Sequence, residues 1–345
     1  MNDPLLGEGL ALSASGSPAA PLIVLELDEL GDSCPASVIA TATRIRESMS
    51  LVVGVVRRPP PASIGPVLAA TTLTLTDLPI PAPRSEVVTV ENVDAALVTL
   101  RAAIARSPRA ALVCGHLLRQ SDGRDTAAAL AGEAAAYSML LTGPEFARWL
   151  AERGPAKPAL DHPSVRLRRS GNHLSIVLDH PRRRNALSTR LREELLTAVQ
   201  VAVADPSIAT VELSGNGPVF CSGGDLAEFG SATDVVAAYL VRLDSAPWRA
   251  LDRLTDRLVV RTHGPCIGAG AEIAAFGGTV TATPETYFCF PEVGMGLIPG
   301  AGGTVSVPRR IGRWRAAWLM LTEQRLDAYT ALDWGLIDEV TGARG

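Results

Sequence analysis

The feature that most constrains this chain is a pattern recurring in its second half. A short β-branched or aromatic run is followed by a glycine-rich break, and then by small or acidic residues that open the next element. Strands alternating with such breaks and with helix starts give an α/β fold. In the stretch 258–276, Leu258 to Arg261 read as a strand, Gly264 and Pro265 as a turn, and Gly268, Ala269 and Gly270 as the opening of an apolar helix. The N–H groups there have no partner within the helix and sit at its positive end, which suits a developing oxyanion. Glu272 falls in the first turn, where a carboxylate is also comfortable with no chemical task.

A second segment, 208–226, reads as a strand, a glycine turn, and then Gly223 and Gly224, which can bring a second amide toward the same ligand. Asp225 is expected to cap the next helix. In the third, 286–304, an aromatic strand leads through Pro291 to Glu292 and a flexible glycine-rich turn. Apolar neighbours raise the pKa of such a loop carboxylate toward neutrality; a solvent-exposed loop acid is the plainer reading. Neither glycine cluster matches a dinucleotide or P-loop pattern.

Five pieces, His180–Ser188, Phe220–Leu226, Gly268–Glu272, Phe290–Gly294 and Ile298–Gly303, occur in an order and spacing that resemble the catalytic region of the crotonase superfamily, the enoyl-CoA hydratase/isomerase family, over residues 170–340. The resemblance implies a spiral of β-β-α turns and an acyl-CoA thioester whose oxygen rests between two backbone amides, here those of Gly224 and Ala269. Family members often carry glycine at the latter position; alanine keeps the N–H and slightly narrows the hole. The two glutamates of hydratases are then Glu272, mainly activating water, and Glu292, transferring the C2 proton, with both tasks open to sharing. CoA is implied to meet Arg182, Arg183, Arg184, Ala186, Leu187, Ser222, Asp225 and Leu226, with the three arginines at its nucleotide portion. The expected activity is hydration of the 2,3 double bond of an enoyl-CoA. Double-bond isomerisation, which needs one carboxylate, and a non-catalytic acyl-CoA-binding or assembly subunit are the other two readings.

No separate cofactor is expected, because CoA is part of the substrate. The cysteines Cys34, Cys114, Cys221, Cys266 and Cys289 and the histidines His116, His162, His173, His180 and His263 lack metal-ligand spacing. An odd cysteine count fits reduced thiols in the cytoplasm. Cys221, Cys266 and His263 lie near the proposed pocket and read better as core or turn residues than as reactive groups. The net charge of −4 gives no general attraction to nucleic acid. No segment has the apolar length of a membrane span, and the N-terminal 20 residues, with Asp3 and Glu8, lack the basic start of a secretory signal. A homo-oligomer with an acyl-CoA partner is expected.

The rest of the chain divides into a flexible stretch 1–20, an α/β region 21–90, a helical region 91–155, a proline-rich connector 156–169 and the catalytic unit 170–345. Residues 21–90 faintly resemble a degenerate crotonase-like copy without catalytic loops, with an unrelated α/β unit as the alternative. Residues 91–155 resemble the family's C-terminal helices through Ser107-Pro108-Arg109-Ala110 and Gly143-Pro144-Glu145-Phe146. In the family, covering helices follow the equivalent of Gly335–Val340. Residues 91–155 are therefore expected to cover the catalytic unit, within a chain or between chains, or else to form an independent helical domain. Arg309, Arg310, Arg313 and Arg315, beside Trp314 and Trp318, are assigned to CoA, to a neighbouring subunit or to the interdomain seam. Residues 229–257 are expected to shape the acyl pocket, with Trp248 shortening it or filling the core.

Overall fold

A computed structural model describes residues 9–79, 84–155 and 164–342. The first half builds β1 (Leu22–Glu26), α1 (Pro35–Glu47), β2 (Leu51–Val55), α2 (Gly65–Ala70), β3 (Leu73–Thr76) and β4 (Val87–Thr89) into a parallel sheet of order β1-β2-β3-β4. Every residue of β2 and β3 is buried, as expected of central parallel strands covered on both faces. The period-two alternation sorts them. Val52 joins Val38, Ile45 and Val67 beneath α1 and α2, whereas Leu51, Val53, Val55, Leu73 and Leu75 belong to a core shared with the second half.

Four helices follow: α3 (Val93–Arg106), α4 (Pro108–Ser121), α5 (Thr126–Leu140) and α6 (Pro144–Arg153). Their starts are local in origin. Asn92 and Asp125 accept hydrogen bonds from the amides of Ala95 and Ala128, and Pro108 and Pro144 open α4 and α6.

The second half contains β5 (Val165–Ser170), β6 (His173–Leu178), α7 (Thr189–Ala204), β7 (Thr210–Gly215), α8 (Val235–Asp244), α9 (Trp248–Arg253), β8 (Leu258–Thr262), β9 (Pro265–Ile267) and α10 (Ala269–Ala274). It continues through β10 (Thr279–Ala282), β11 (Tyr287–Cys289), α11 (Gly303–Thr322), β12 (Leu326–Asp327), α12 (Ala328–Trp334) and β13 (Glu339–Val340). One sheet runs β13-β10-β8-β7-β6-β5, parallel except where β5 meets β6, and a smaller sheet runs β12-β11-β9.

β5 corrects the expected connector 156–169. Val165 to Ser170 pair with β6 along their whole length, so the folded second half already includes Val165. The strand is hard to read in sequence because it lies at a sheet edge and is rich in exposed arginine, a composition that blunts edge pairing. The remainder of that connector, 156–163, lies outside the described residues, as do the proline run 80–83 and residues 1–8 and 343–345. Among the described residues no helix is long and apolar enough to cross a membrane.

The helical region packs on the second half within one chain: α3 and α4 against α11, and α5 against α8 and α9. Of the arginine cluster, Arg309 and Arg313 reach across to the first half. Arg313 donates to the carbonyls of Ala69 and Thr71 at the end of α2, and Arg309 bridges Asp252 at 2.6 Å and Thr126 Oγ1 at 2.7 Å. Arg310 pairs instead with Asp338, at 2.6 Å.

Candidate active site

Two loops meet at the carboxyl ends of β7 and β9. After β7 the chain turns through Cys221 to Gly224, which is stitched to the segment 180–188: Ser222 N donates to Arg184 O at 3.0 Å, Leu187 N to Gly223 O at 2.7 Å and Asp225 N to Leu187 O at 3.1 Å. Asn185 nails this segment down. Its Nδ2 donates to the carbonyls of Asn216, Val219 and Phe220, and its Oδ1 accepts from His180 N. Gly223 has φ +91° and crosses so close to the second loop that a Cβ would lie 2.9 Å from Ile267 O, which explains the glycine.

The second loop is tied to the first by Ile267 N donating to Cys221 O at 3.1 Å and continues through Gly268, whose N donates to Cys289 O at 2.8 Å. Ala269 begins α10. The amides of Gly224 and Ala269 donate to no acceptor among the described residues. Two adjoining loops thus each offer one free backbone donor.

Glu272 is 1% exposed and lies in the first turn of α10; its Oε2 accepts from Ala301 N at 2.7 Å and Gly303 N at 2.8 Å. Glu292 is 8% exposed and precedes the 3-10 turn Val293–Met295. Its Oε1 would clash with a Cβ on Gly268, and its Oε2 is buried without a hydrogen-bond partner among the described residues. Burial pushes the Glu292 carboxyl up to about 8. Burial, reinforced by the negative charges of Glu292 and Glu133, raises Glu272 well above the ordinary range, against the pull of its two amide donors. A pair of buried acids that keeps one proton between its two carboxyl groups can both accept and deliver a proton.

The residues assigned to CoA are brought to the loop 180–188 and its neighbour, with differing fates. Arg183 is bound to Asp225, and both side chains are largely buried; Arg182 and Arg184 are exposed. Ala186 is buried and Leu187 half-buried, and Ser222 donates its amide to Arg184. Leu226 is 47% exposed, with its carbonyl accepting from Arg153 of α6.

Asp225 does not cap the next helix. Its Oδ1 accepts from Ala227 N at 2.9 Å within a run of turns, and α8 is capped by Asp234, which accepts from Val236 N and Ala237 N. Gly230, at φ +83°, separates the two. His263 bonds Gly217 O at 2.8 Å, a turn role. Cys221 and Cys266 are buried free thiols whose backbones pair in an isolated parallel β-bridge, and burial pushes the Cys221 thiol up to about 12. Trp248 is 4% exposed and packs in the core.

One residue escaped the sequence reading. Glu133 of α5 is 2% exposed and accepts from Gly302 N at 2.7 Å, Thr304 N at 2.9 Å and Thr304 Oγ1 at 2.7 Å. The available signal was a lone acid in the alanine-rich run 127–137, with no cation one turn away.

The loops and both acids fall inside a matched segment: the enoyl-CoA hydratase/isomerase family model covers residues 168–344, just over half of the chain. The chain belongs to the enoyl-CoA hydratase/isomerase family. Its α/β architecture of mixed sheets and helices is crotonase-like accordingly. It is 36% identical over 174 residues to the enoyl-CoA isomerase/hydratase fer4 of Mycosarcoma maydis, covering 48% of this chain and 64% of that protein. It is 32% identical over 167 residues to the 2,3-dehydroadipyl-CoA hydratase of Escherichia coli strain K12, covering 48% and 65%. With the trans-2-decenoyl-acyl-carrier-protein isomerase of Streptococcus mutans it shares 34% identity over 170 residues, covering 48% and 65%. The chain spans just under two thirds of the length of these relatives.

Proposed function

We propose that the protein is an enoyl-CoA hydratase. The observation that carries this reading is the meeting of two loops with free amides at Gly224 and Ala269 beside two buried carboxyl groups, Glu272 and Glu292. The thioester oxygen accepts from both amides, each worth about 3 kcal/mol to the developing enolate. Polarisation of the thioester makes C3 electrophilic. Glu272, whose ionised form is supported by the Ala301 and Gly303 amides, takes a proton from water as the water oxygen bonds to C3. The C2–C3 π electrons move toward the thioester, and protonated Glu292 delivers its proton to C2. A proton passing from Glu272 to Glu292 resets the pair. Isomerisation alone needs one carboxyl; retention of both favours hydration. Exposed Arg182 and Arg184 serve the CoA phosphates, while Arg183 is engaged by Asp225.

Incubation with a 2-enoyl-CoA tests the reading. Loss of the conjugated thioester absorbance with formation of a 3-hydroxyacyl product is expected. Turnover to a shifted double bond without that product would replace hydration by isomerisation.

We also propose that residues 21–155 are a shortened first copy of the second half's fold. Supporting this, Val53 pairs with Leu73 and Gly54 with Thr74 as Val260 pairs with Val280 and Arg261 with Thr281, the same spacing along the chain in both sheets. β4 then flanks β3 as β13 flanks β10. In this reading the first copy contributes α3 to α6 as the cover of the second. A cooperatively folded fragment 164–345 made without the first half would contradict the shared core.

A further inference from the structure

Beyond the catalytic pair, we infer that Glu133 of α5 is a positioning residue of the active site, holding the loop 301–304 so that its alternate amides can hold Glu272. The inference rests on the hydratase reading above and deepens it. Four consecutive amides serve two carboxylates in turn: Ala301 and Gly303 donate to Glu272, and Gly302 and Thr304 donate to Glu133. The Thr304 hydroxyl adds a third bond to Glu133, and Ser306 Oγ donates to the Glu272 carbonyl at 2.8 Å. Neither carboxylate can shift without dragging the loop on which the other depends.

The geometry is specific about direction. The loop has glycine at 300, 302 and 303, and Gly302 has φ +89°, so its own backbone preferences fix little. Its conformation is set from outside, by two acids approaching it. One acid comes from α10 of the family-matching half; the other comes from a helix that lies outside that half. The active site is therefore incomplete without a residue from α5, and the packing of α5 on α8 and α9 has a chemical consequence.

Charge gives Glu133 a second means of action. It is faced by Cys114 from α4, Arg242 from α8, Glu272 from α10 and Glu292 from the loop beyond β11, and Tyr137 follows it one turn along α5. Arg242 lies 3.9 Å over the Tyr137 ring, and its positive charge favours ionised Glu133. Burial nevertheless dominates and pushes the Glu133 carboxyl up to about 7, so it loses its proton within the working pH range. An ionised Glu133 then makes ionisation of both Glu272 and Glu292 harder.

Glu133→Gln separates this role from plain support. The neutral amide keeps the shape but turns an N–H toward donors, and it removes a negative charge. The kcat for 2-enoyl-CoA hydration should fall roughly 100-fold, the cost of misplacing a catalytic group by about 1 Å, with KM changed less than about threefold. Both limbs of the kcat–pH profile should move to lower pH. Glu145→Gln is the structural control: Glu145 caps α4 through Arg109 N and Ala110 N, so its loss should lower stability and leave the pH limbs in place. If Glu133→Gln does not fold, Glu133→Asp answers instead, keeping the charge while withdrawing the oxygens by one methylene. It should lower kcat with the pH limbs unmoved. An active wild type together with wild-type kcat and pH profile in the folded variant would overturn the inference; an inactive wild type would instead defeat the hydratase reading.

Discussion

Replacing Glu292 by glutamine should stabilise the protein increasingly as pH rises. The carboxyl is buried, one of its oxygens has no partner among the described residues, and burial pushes its pKa up to about 8 from 4.5. For an acid whose folded pKa is raised, stability is fully present below the unfolded value and is lost as pH climbs through the folded one. The window here is therefore pH 4.5 to about 8. At about 1.36 kcal/mol per tenfold, the loss is roughly 1 kcal/mol at pH 5 and between about 4 and 5 kcal/mol at pH 8.5. Glutamine is neutral throughout and escapes it. Any fixed cost of the new amide N–H cancels when the two pH values are compared, leaving a change of roughly 4 kcal/mol in the variant's favour. Denaturant unfolding of both proteins at pH 5 and pH 8.5 reads this directly. A difference between variant and wild type that does not change with pH, or that changes in the opposite direction, would refute the placement of a protonated acid at this position. The same variant should lose about 100- to 10,000-fold in hydration rate while still binding acyl-CoA.

Other outcomes follow from the same geometry. Gly268→Ala forces a side chain onto φ +49° and into Glu292 Oε1, so turnover should drop by roughly 100-fold or more with the fold retained by circular dichroism. Arg313→Met leaves the Ala69 and Thr71 carbonyls unpaired in the seam and should cost about 3 kcal/mol in denaturant unfolding. Cys221, a buried thiol with its pKa pushed to about 12, should resist a thiol-specific reagent in the native protein and react only after unfolding.

What could be read in sequence is what is decided locally. Gly223 and Gly268 take positive φ under close neighbours, and both requirements leave glycine in the chain wherever the loop occurs. The starts of α4 and α6 were visible because Pro108 and Pro144 act on the next few residues alone. Partnerships made across the fold were hidden. β5 looked like a connector because its arginines face outward and its pairing depends on β6. Asp225 has the composition of a helix cap, yet Arg183, distant in sequence, holds it in a turn. Glu133 meets amides 169 and 171 positions away, a relation that no local pattern encodes.

The central claim is that one thioester rests between the Gly224 and Ala269 amides with the two glutamates at its α and β carbons. A crystal structure with a bound 3-hydroxyacyl-CoA addresses it most directly. The expected result is a thioester oxygen about 3 Å from both nitrogens, with Glu292 at C2 and Glu272 at the C3 hydroxyl. An oxygen bound elsewhere, or either carboxyl beyond hydrogen-bond reach of its carbon's substituent, would contradict it.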